Sequence, residues 1–329
     1  MRRRDFIILL GGAAAIWPLA ALAQQPDRMR RVGVLSVLTE TDAEGQVRVQ
    51  ALKAGLEKLG WTDGRNVRID TRWGGGDTGR IRQYAAELVA LAPDVIVAIG
   101  GAAVGPLQQT THTVPIVFTG TPDPVGAGFV ASLAQPGGNT TGFTQFEFGI
   151  SAKWLELLKE IAPQVSRVAV LRDTTVPGGI GQLGAIQSVA RSFGVELSSI
   201  DVRNPPEIER AVIAFARGSN GGLIVLSSAT GVVHRELIIT LAARHRLPAV
   251  YPYRRFVIDG GLISYGPDSA EALPLAAGYV DRILKGEKPA DLPVQESTKQ
   301  DLTINLKTAK ALGIEIPPSL LARADEVIE

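Results

Sequence analysis

The sequence predicts an α/β protein of two lobes, each a parallel sheet flanked by helices, hinged around a central cleft. Three observations carry the prediction. One α/β unit is stated twice: Arg31-Val32-Gly33-Val34-Leu35 returns as Arg167-Val168-Ala169-Val170-Leu171, and Val114-Pro115-Ile116-Val117 as Leu247-Pro248-Ala249-Val250. A helical stretch ending Leu59-Gly60 returns ending Phe193-Gly194, 134 positions later. The short β-branched runs lack polar alternation, the pattern of strands buried on both faces of a parallel sheet. Amphipathic intervals between them supply the crossover helices of a βαβα series. Each half therefore reads as Rossmann-like, and such sheets receive ligands beyond the carboxyl ends of their strands.

In the first half, strands are expected over 32–38, 67–73, 95–99 and 116–119. Val49, Leu52, Leu56 and Leu59 make one apolar helical face between the first two, and Gly60 suits a left-handed C-cap. Asp77-Thr78 caps the next helix, with Ile81, Tyr84, Ala85, Leu88 and Leu91 as its buried stripe. Pro93-Asp94-Val95-Ile96-Val97 is answered in the second half by Gly221-Gly222-Leu223-Ile224-Val225. That half opens on a helix facing inward through Trp154, Leu158 and Ile161. Its strands are expected over 168–171, 195–200, 223–226, 249–251 and 262–265. A late helix over 269–284 buries Ala272, Ala276, Tyr279 and Ile283, and a strand-like Leu302-Thr303-Ile304-Asn305 follows.

The link Gln135-Pro136-Gly137-Gly138-Asn139-Thr140-Thr141-Gly142 is dense in turn formers and reads as the first crossing between lobes. The late helix is expected to return to the first lobe and the tail to the second. The first lobe then comprises 28–143 plus about 268–295, and the second 144–267 plus about 296–329. Several crossings would restrict lobe motion to a hinge.

Residues 1–23 read as a signal peptide. Arg2, Arg3 and Arg4 precede an apolar stretch, and Ala21-Leu22-Ala23 forms the A-x-A exit, with cleavage expected after Ala23. The stretch contains Gly11, Gly12 and Pro18 and is shorter than the ~20 apolar residues a membrane span needs. Arg3-Arg4-Asp5-Phe6-Ile7 also fits a twin-arginine export signal, and the ordinary secretory route stays open beside it.

Composition excludes several classes. Losing residues 1–23 removes three Arg and one Asp, leaving 31 basic and 32 acidic residues and a net charge of −1. A near-neutral body argues against nucleic-acid binding. There is no cysteine, hence no disulfide, thiolate metal site, Cys nucleophile or lipoprotein acylation site. A freely soluble, periplasmic, monomeric product is expected.

Motifs for chemistry are sparse. Gly74-Gly75-Gly76-Asp77-Thr78-Gly79 and Gly100-Gly101-Ala102-Ala103-Val104-Gly105 spell neither G-x-G-x-x-G nor a P-loop, so no cofactor is expected. The second loop opens a helix and could hold an anionic group on its N–H groups. His112, His234 and His245 show no metal-ligand spacing, and no G-x-S-x-G elbow occurs. No catalytic residue is assigned, and no enzyme activity is expected.

Polar and aromatic residues gather instead at the expected strand ends, the mixture a binding cleft uses. The first lobe offers Ser36, Thr39, Glu40, Gly100, Gly101, Thr119, Thr121 and Asp123. The second offers Asp173, Thr174, Thr175, Ser227, Ser228, Tyr251, Tyr253 and Tyr265. Asp123 and the pair Tyr251 and Tyr253 follow equivalent strands of the repeat, which sets them on opposite walls.

Asp123-Pro124-Val125-Gly126-Ala127-Gly128 and Leu133-Ala134-Gln135-Pro136-Gly137-Gly138-Asn139-Thr140-Thr141-Gly142 resemble the ABC transporter substrate-binding family whose known members bind tryptophan. So do Arg254 with Gly260-Gly261-Leu262-Ile263-Ser264-Tyr265-Gly266, and Asn305-Leu306-Lys307-Thr308-Ala309-Lys310-Ala311-Leu312-Gly313 with Ile316-Pro317-Pro318. The resemblance spans 31–329. It implies a type I periplasmic-binding fold, no catalysis, and delivery of a small-molecule ligand to an ABC permease with its cytoplasmic ATPase. An aromatic or branched amino acid, or a related small acid, is the favoured ligand class. Two alternatives stay open: a ligand-sensing domain without transport, and an enzyme on the same lobes.

Overall fold

The computed structural model describes residues 28–145, 148–176, 178–268, 270–296 and 299–329, so the export segment lies outside the described residues. The first sheet is assembled from β1 (Arg30–Ser36), β2 (Val67–Trp73), β3 (Val95–Ile99), β4 (Ile116–Thr121), β5 (Thr140–Thr144) and β11 (Gln295–Glu296). Its order is β2-β1-β3-β4-β5-β11, parallel throughout. The second sheet holds β6 (Arg167–Arg172), β7 (Glu196–Asp201), β8 (Gly221–Val225), β9 (Ala249–Tyr251), β10 (Ile263–Gly266), β12 (Asp301–Asn305) and β13 (Glu326–Ile328). Its order is β7-β6-β8-β9-β10-β12-β13, parallel up to β10, with β12 antiparallel to β10 and β13 parallel to β12. In both sheets the winding reverses beside the first strand, between β1 and β3 and between β6 and β8.

The sheets are covered on both faces, as their unbroken apolar runs require. Val32 and Val34 of β1 pack with α1 (Ala43–Lys58) and α10 (Ala272–Leu284), whereas Leu35 packs with α2 (Thr78–Ala90) on the other face. Helices α1 and α10 touch closely enough that a Cβ at Gly55 would lie 2.8 Å from Ala277 Cβ. In the second lobe, α4 (Gly149–Ile161) buries Trp154, Leu158 and Ile161, and Trp154 Nε1 donates to the Tyr265 carbonyl at 2.7 Å. Its partners around the second sheet are α5 (Gly178–Ala190), α6 (Pro205–Ala216), α7 (Ala229–Val233), α8 (Arg235–Arg244) and α9 (Arg254–Ile258).

Local signals read from the sequence act as their chemistry dictates. Asp77 accepts from Arg80 N at 2.7 Å and starts α2. Gly60 takes φ 91° after α1, and Gly194 takes φ 63° after α5. Leu59, expected on the buried face of α1, is instead 43% exposed, because the helix ends at Lys58 and the chain turns away. Tyr84 and Leu91 are only partly buried.

The larger correction concerns the turn-rich link. Residues from Thr140 onward form β5, every residue of it buried, and Thr141 Oγ1 donates to the Leu292 carbonyl at 2.5 Å. Gly142 lies so close to β4 that a Cβ would sit 2.1 Å from Phe118 O. Turn composition hid a strand whose glycine serves backbone contact rather than a bend. The chain passes between the sheets after β5, after β10 and after β11.

Candidate ligand-binding cleft

The carboxyl ends of β1, β3 and β4 face those of β6, β8 and β9, and the space between is a divided cleft. Its larger chamber, about 370 Å³, takes walls from both lobes: Gly76, Gly101, Thr121 and Phe129 from the first, Asp173, Thr175 and Thr230 from the second. That volume lies in the range of small-molecule sites, ~300–1,000 Å³. A smaller chamber of about 40 Å³ adjoins it, lined by Val37, Arg48, Gly100 and Gly120 on one side and Ser227 and Tyr253 on the other. Gly101, Ala102, Pro122, Val176 and Ala229 border both chambers.

Local backbone geometry shapes the first wall. Gly100 follows β3 with φ 105°, and a Cβ there would come 2.4 Å from Val37 Cγ2. Only glycine turns the chain there, bringing Gly101–Ala103 onto the cleft. Thr121 closes β4 with its Oγ1 buried and without a hydrogen-bond partner. On the second wall, Asp173 Oδ1 accepts from Thr175 N at 2.9 Å and from Thr175 Oγ1 at 2.6 Å, and Oδ2 accepts from Thr230 Oγ1 at 2.7 Å. Ser227 Oγ and Tyr253 OH are hydrogen-bonded to each other.

The lobes touch around this space. A Cβ on Gly76 would lie 3.4 Å from Val233 Cγ2, and one on Gly178 would lie 2.6 Å from Pro122 Cγ. Arg235 at the start of α8 reaches Asp42, the N-cap of α1, while its Nε bonds Asp259 Oδ2 at 2.7 Å. Burial opposes the Arg235 charge, yet the bonds to Asp259 and Asp42 raise its pKa above the ordinary value. Burial likewise opposes the Asp259 carboxylate, but Arg255 and Arg235 hold its pKa below the usual value. Burial pushes the Tyr253 phenol up against the opposing pull of Arg48 and Ser227, so it is neutral at physiological pH.

Of the residues proposed from sequence, Gly100, Gly101, Thr121, Asp173, Thr175, Ser227, Ser228 and Tyr253 line one or both chambers. Ser36 is buried and accepts from Leu38 N at 3.3 Å, and Thr119 is buried within β4. Thr39 and Glu40 lie in the loop after β1, where the Glu40 carbonyl accepts from Gln46 at 2.6 Å. Thr174 donates to Asp201 at 2.8 Å. Asp123 accepts from Gly126 N at 2.8 Å and borders a separate depression with Pro124 and Leu133. Tyr251 is fully buried and stacks on Phe256 with ring centroids 5.0 Å apart, and burial raises its pKa. Tyr265 is held through its carbonyl by Trp154. None of these eight borders either chamber. Arg48, Pro122, Val176 and Phe129 do, and sequence reasoning missed them. For Arg48 a signal existed: a charged residue beside the apolar face of the helix that follows β1, four residues after Glu44. Among the described residues, no cluster of three or more acidic or histidine side chains could hold a metal, and no helix is long and apolar enough to cross a membrane.

The model of the ABC transporter substrate binding protein family matches residues 31–328. The chain belongs to that family. Similar solved structures agree with this substrate-binding protein in fold and in sequence. A conserved domain protein from Vibrio cholerae O1 biovar eltor superimposes with a TM-score of 0.85 at 31% identity, covering 91% of this chain and 100% of that one. The ABC domain from Streptococcus pneumonia in complex with L-Trp gives a TM-score of 0.84 at 26% identity, covering 91% and 99%. A tyrosine-binding protein of Clostridioides difficile is 26% identical over 288 residues, 88% of this chain and 82% of the relative.

Proposed function

We propose that this protein is the exported, solute-capturing component of an ABC importer, and that it closes its lobes around an amino acid of the aromatic or branched class, or a related small acid. The observation that carries the proposal is a chamber of about 370 Å³ walled by both lobes at the carboxyl ends of their strands. Relatives that bind tyrosine or contain L-Trp support the ligand class. Closure follows from the walls, since a ligand there gains contacts from both lobes only when they approach. Release to a membrane permease driven by its ATPase completes the role. Arg3-Arg4 and Ala21-Leu22-Ala23 support export to the periplasm with cleavage after Ala23.

Native mass spectrometry of the purified protein, with calorimetry against tyrosine, tryptophan, phenylalanine and leucine, tests the ligand class. A bound ligand should raise the melting temperature by mass action and reduce the radius of gyration in small-angle scattering. Failure of every amino acid and small organic acid to bind would overturn the ligand class. Amino-terminal sequencing of the periplasmic fraction should begin at Gln24. An uncleaved product would overturn export by this route.

A further inference from the structure

The smaller chamber is lined by an arginine whose hydrogen bonding is unfinished. Arg48, 5% exposed, donates from Nε to Glu44 Oε1 at 3.1 Å, and its guanidinium lies 5.7 Å from the Tyr253 ring centroid across the cleft. Its Nη2 is buried with no hydrogen-bond partner. A buried charged donor left without an acceptor is costly, and such atoms in native proteins call for an explanation. On the wall of the adjoining larger chamber, Thr121 Oγ1 is also buried and unpartnered. It faces Gly101, which borders both chambers: a Cβ there would lie 3.5 Å from Thr121 Oγ1.

We infer that Arg48 receives the carboxylate of the ligand in the smaller chamber, an assignment that rests on the solute-capture function proposed above. Glu44 holds the Nε edge and orients the guanidinium, leaving Nη2 for an incoming anion. A carboxylate completes this donor with a charge-assisted bond, which a neutral hydroxyl does less well. A space of about 40 Å³ admits a head group and excludes an aromatic ring, so the remainder of the ligand extends into the 370 Å³ chamber. Thr121 Oγ1, on the wall of the adjoining chamber, is an acceptor suited to an ammonium. A cationic donor in one chamber and an oxygen acceptor on the wall of the next complement the head of an α-amino acid.

The test compares acids with their carboxamides. Calorimetry on the full mature chain uses tyrosine, tryptophan and leucine against tyrosinamide, tryptophanamide and leucinamide, in the wild type, Arg48→Gln and Arg48→Lys. The wild type should prefer the acid by about tenfold or more, the scale of one charge-assisted bond. Arg48→Gln should bring the ratio near one, and Arg48→Lys should recover part of it. If Arg48 acts only by contacting Tyr253 and steadying closure, acid and amide weaken together, the ratio is unchanged, and the assignment is overturned. Should Arg48→Gln fail to fold by circular dichroism, an undiminished ratio in folded Arg48→Lys overturns it equally. A wild type that binds none of the acids overturns the amino-acid ligand class, and this assignment with it. A wild type that prefers the acids, with the preference undiminished in Arg48→Gln, overturns Arg48 alone.

Discussion

Asp42 and Arg235 join the two lobes through a buried ion pair, although they lie 193 positions apart. One carboxylate does two jobs. Its Oδ1 caps α1 by accepting from Glu44 N at 2.9 Å and Gly45 N at 3.1 Å, and its Oδ2 meets the guanidinium of the other lobe. Within its own lobe Arg235 keeps Asp259, so a lobe that swings away loses only the contact to Asp42.

Asp42→Asn should therefore separate folding from closure. Asparagine caps helices as well as aspartate does, so the melting temperature of the ligand-free protein should change little. Ligand affinity should fall by roughly tenfold, the scale of a charged hydrogen bond. Calorimetry and thermal melting check both parts. Unchanged affinity with a lowered melting temperature would mean the pair serves the fold alone.

Gly178→Ala should hinder closure by a steric route. The added Cβ would meet the rigid Pro122 ring at 2.6 Å, and Pro122 belongs to the opposite lobe. In an open molecule the methyl meets no such neighbour. The variant should fold with near-normal stability, bind ligand more weakly, and show a larger radius of gyration than the wild type under saturating ligand. Equal scattering curves would disprove the contact's role.

Gly142→Ala should destabilise the first lobe. Its Cβ would overlap Phe118 O at 2.1 Å and Phe118 N at 2.7 Å, backbone atoms that cannot yield without separating β4 from β5. Overpacking of this kind costs about 1–3 kcal/mol, and the backbone clash places this case at the upper end. Urea unfolding measures it directly.

His234 should make the protein acid-sensitive. Burial lowers its pKa below the ordinary 6.5, so the folded state binds a proton less readily than the unfolded state. The stability it contributes is present above the unfolded value and is lost as pH falls through that value toward the folded one. Melting temperature measured from about pH 7.5 to about pH 5 should drop more in the wild type than in His234→Gln. Parallel profiles would exclude His234 as the source.

Much of the fold was determined by local signals. Val95–Ile99 and Ala249–Tyr251 are strands at the expected residues, because apolar runs without polar alternation fit only a sheet covered on both faces, while Val67–Trp73, also a strand where expected, alternates apolar and polar residues as the half-buried sheet edge. Asp77 and Gly60 mark helix ends by side-chain capping and positive φ, properties of single residues. Gly100, Gly101, Thr121, Asp173, Thr175, Ser227, Ser228 and Tyr253 stand at or just beyond strand ends, so the apolar runs that located the strands also located them.

Tertiary structure decided the rest. Thr140–Thr144 reads as turn by composition and becomes a strand only because β4 and β11 offer it partners on both sides. Asp123 occupies a strand end, yet its carboxylate is drawn to Gly126 N, since a left-handed φ of 39° folds the loop back on it. Arg48 enters the cleft because α1 packs against β1 and beside α10 in one rotational setting, which depends on helix-to-helix fit rather than on its own neighbours in sequence. The pairing of Asp42 with Arg235 depends on how the lobes meet. Signals within a few residues were legible in the chain. Contacts between distant elements were not, because their geometry exists only once both lobes are packed.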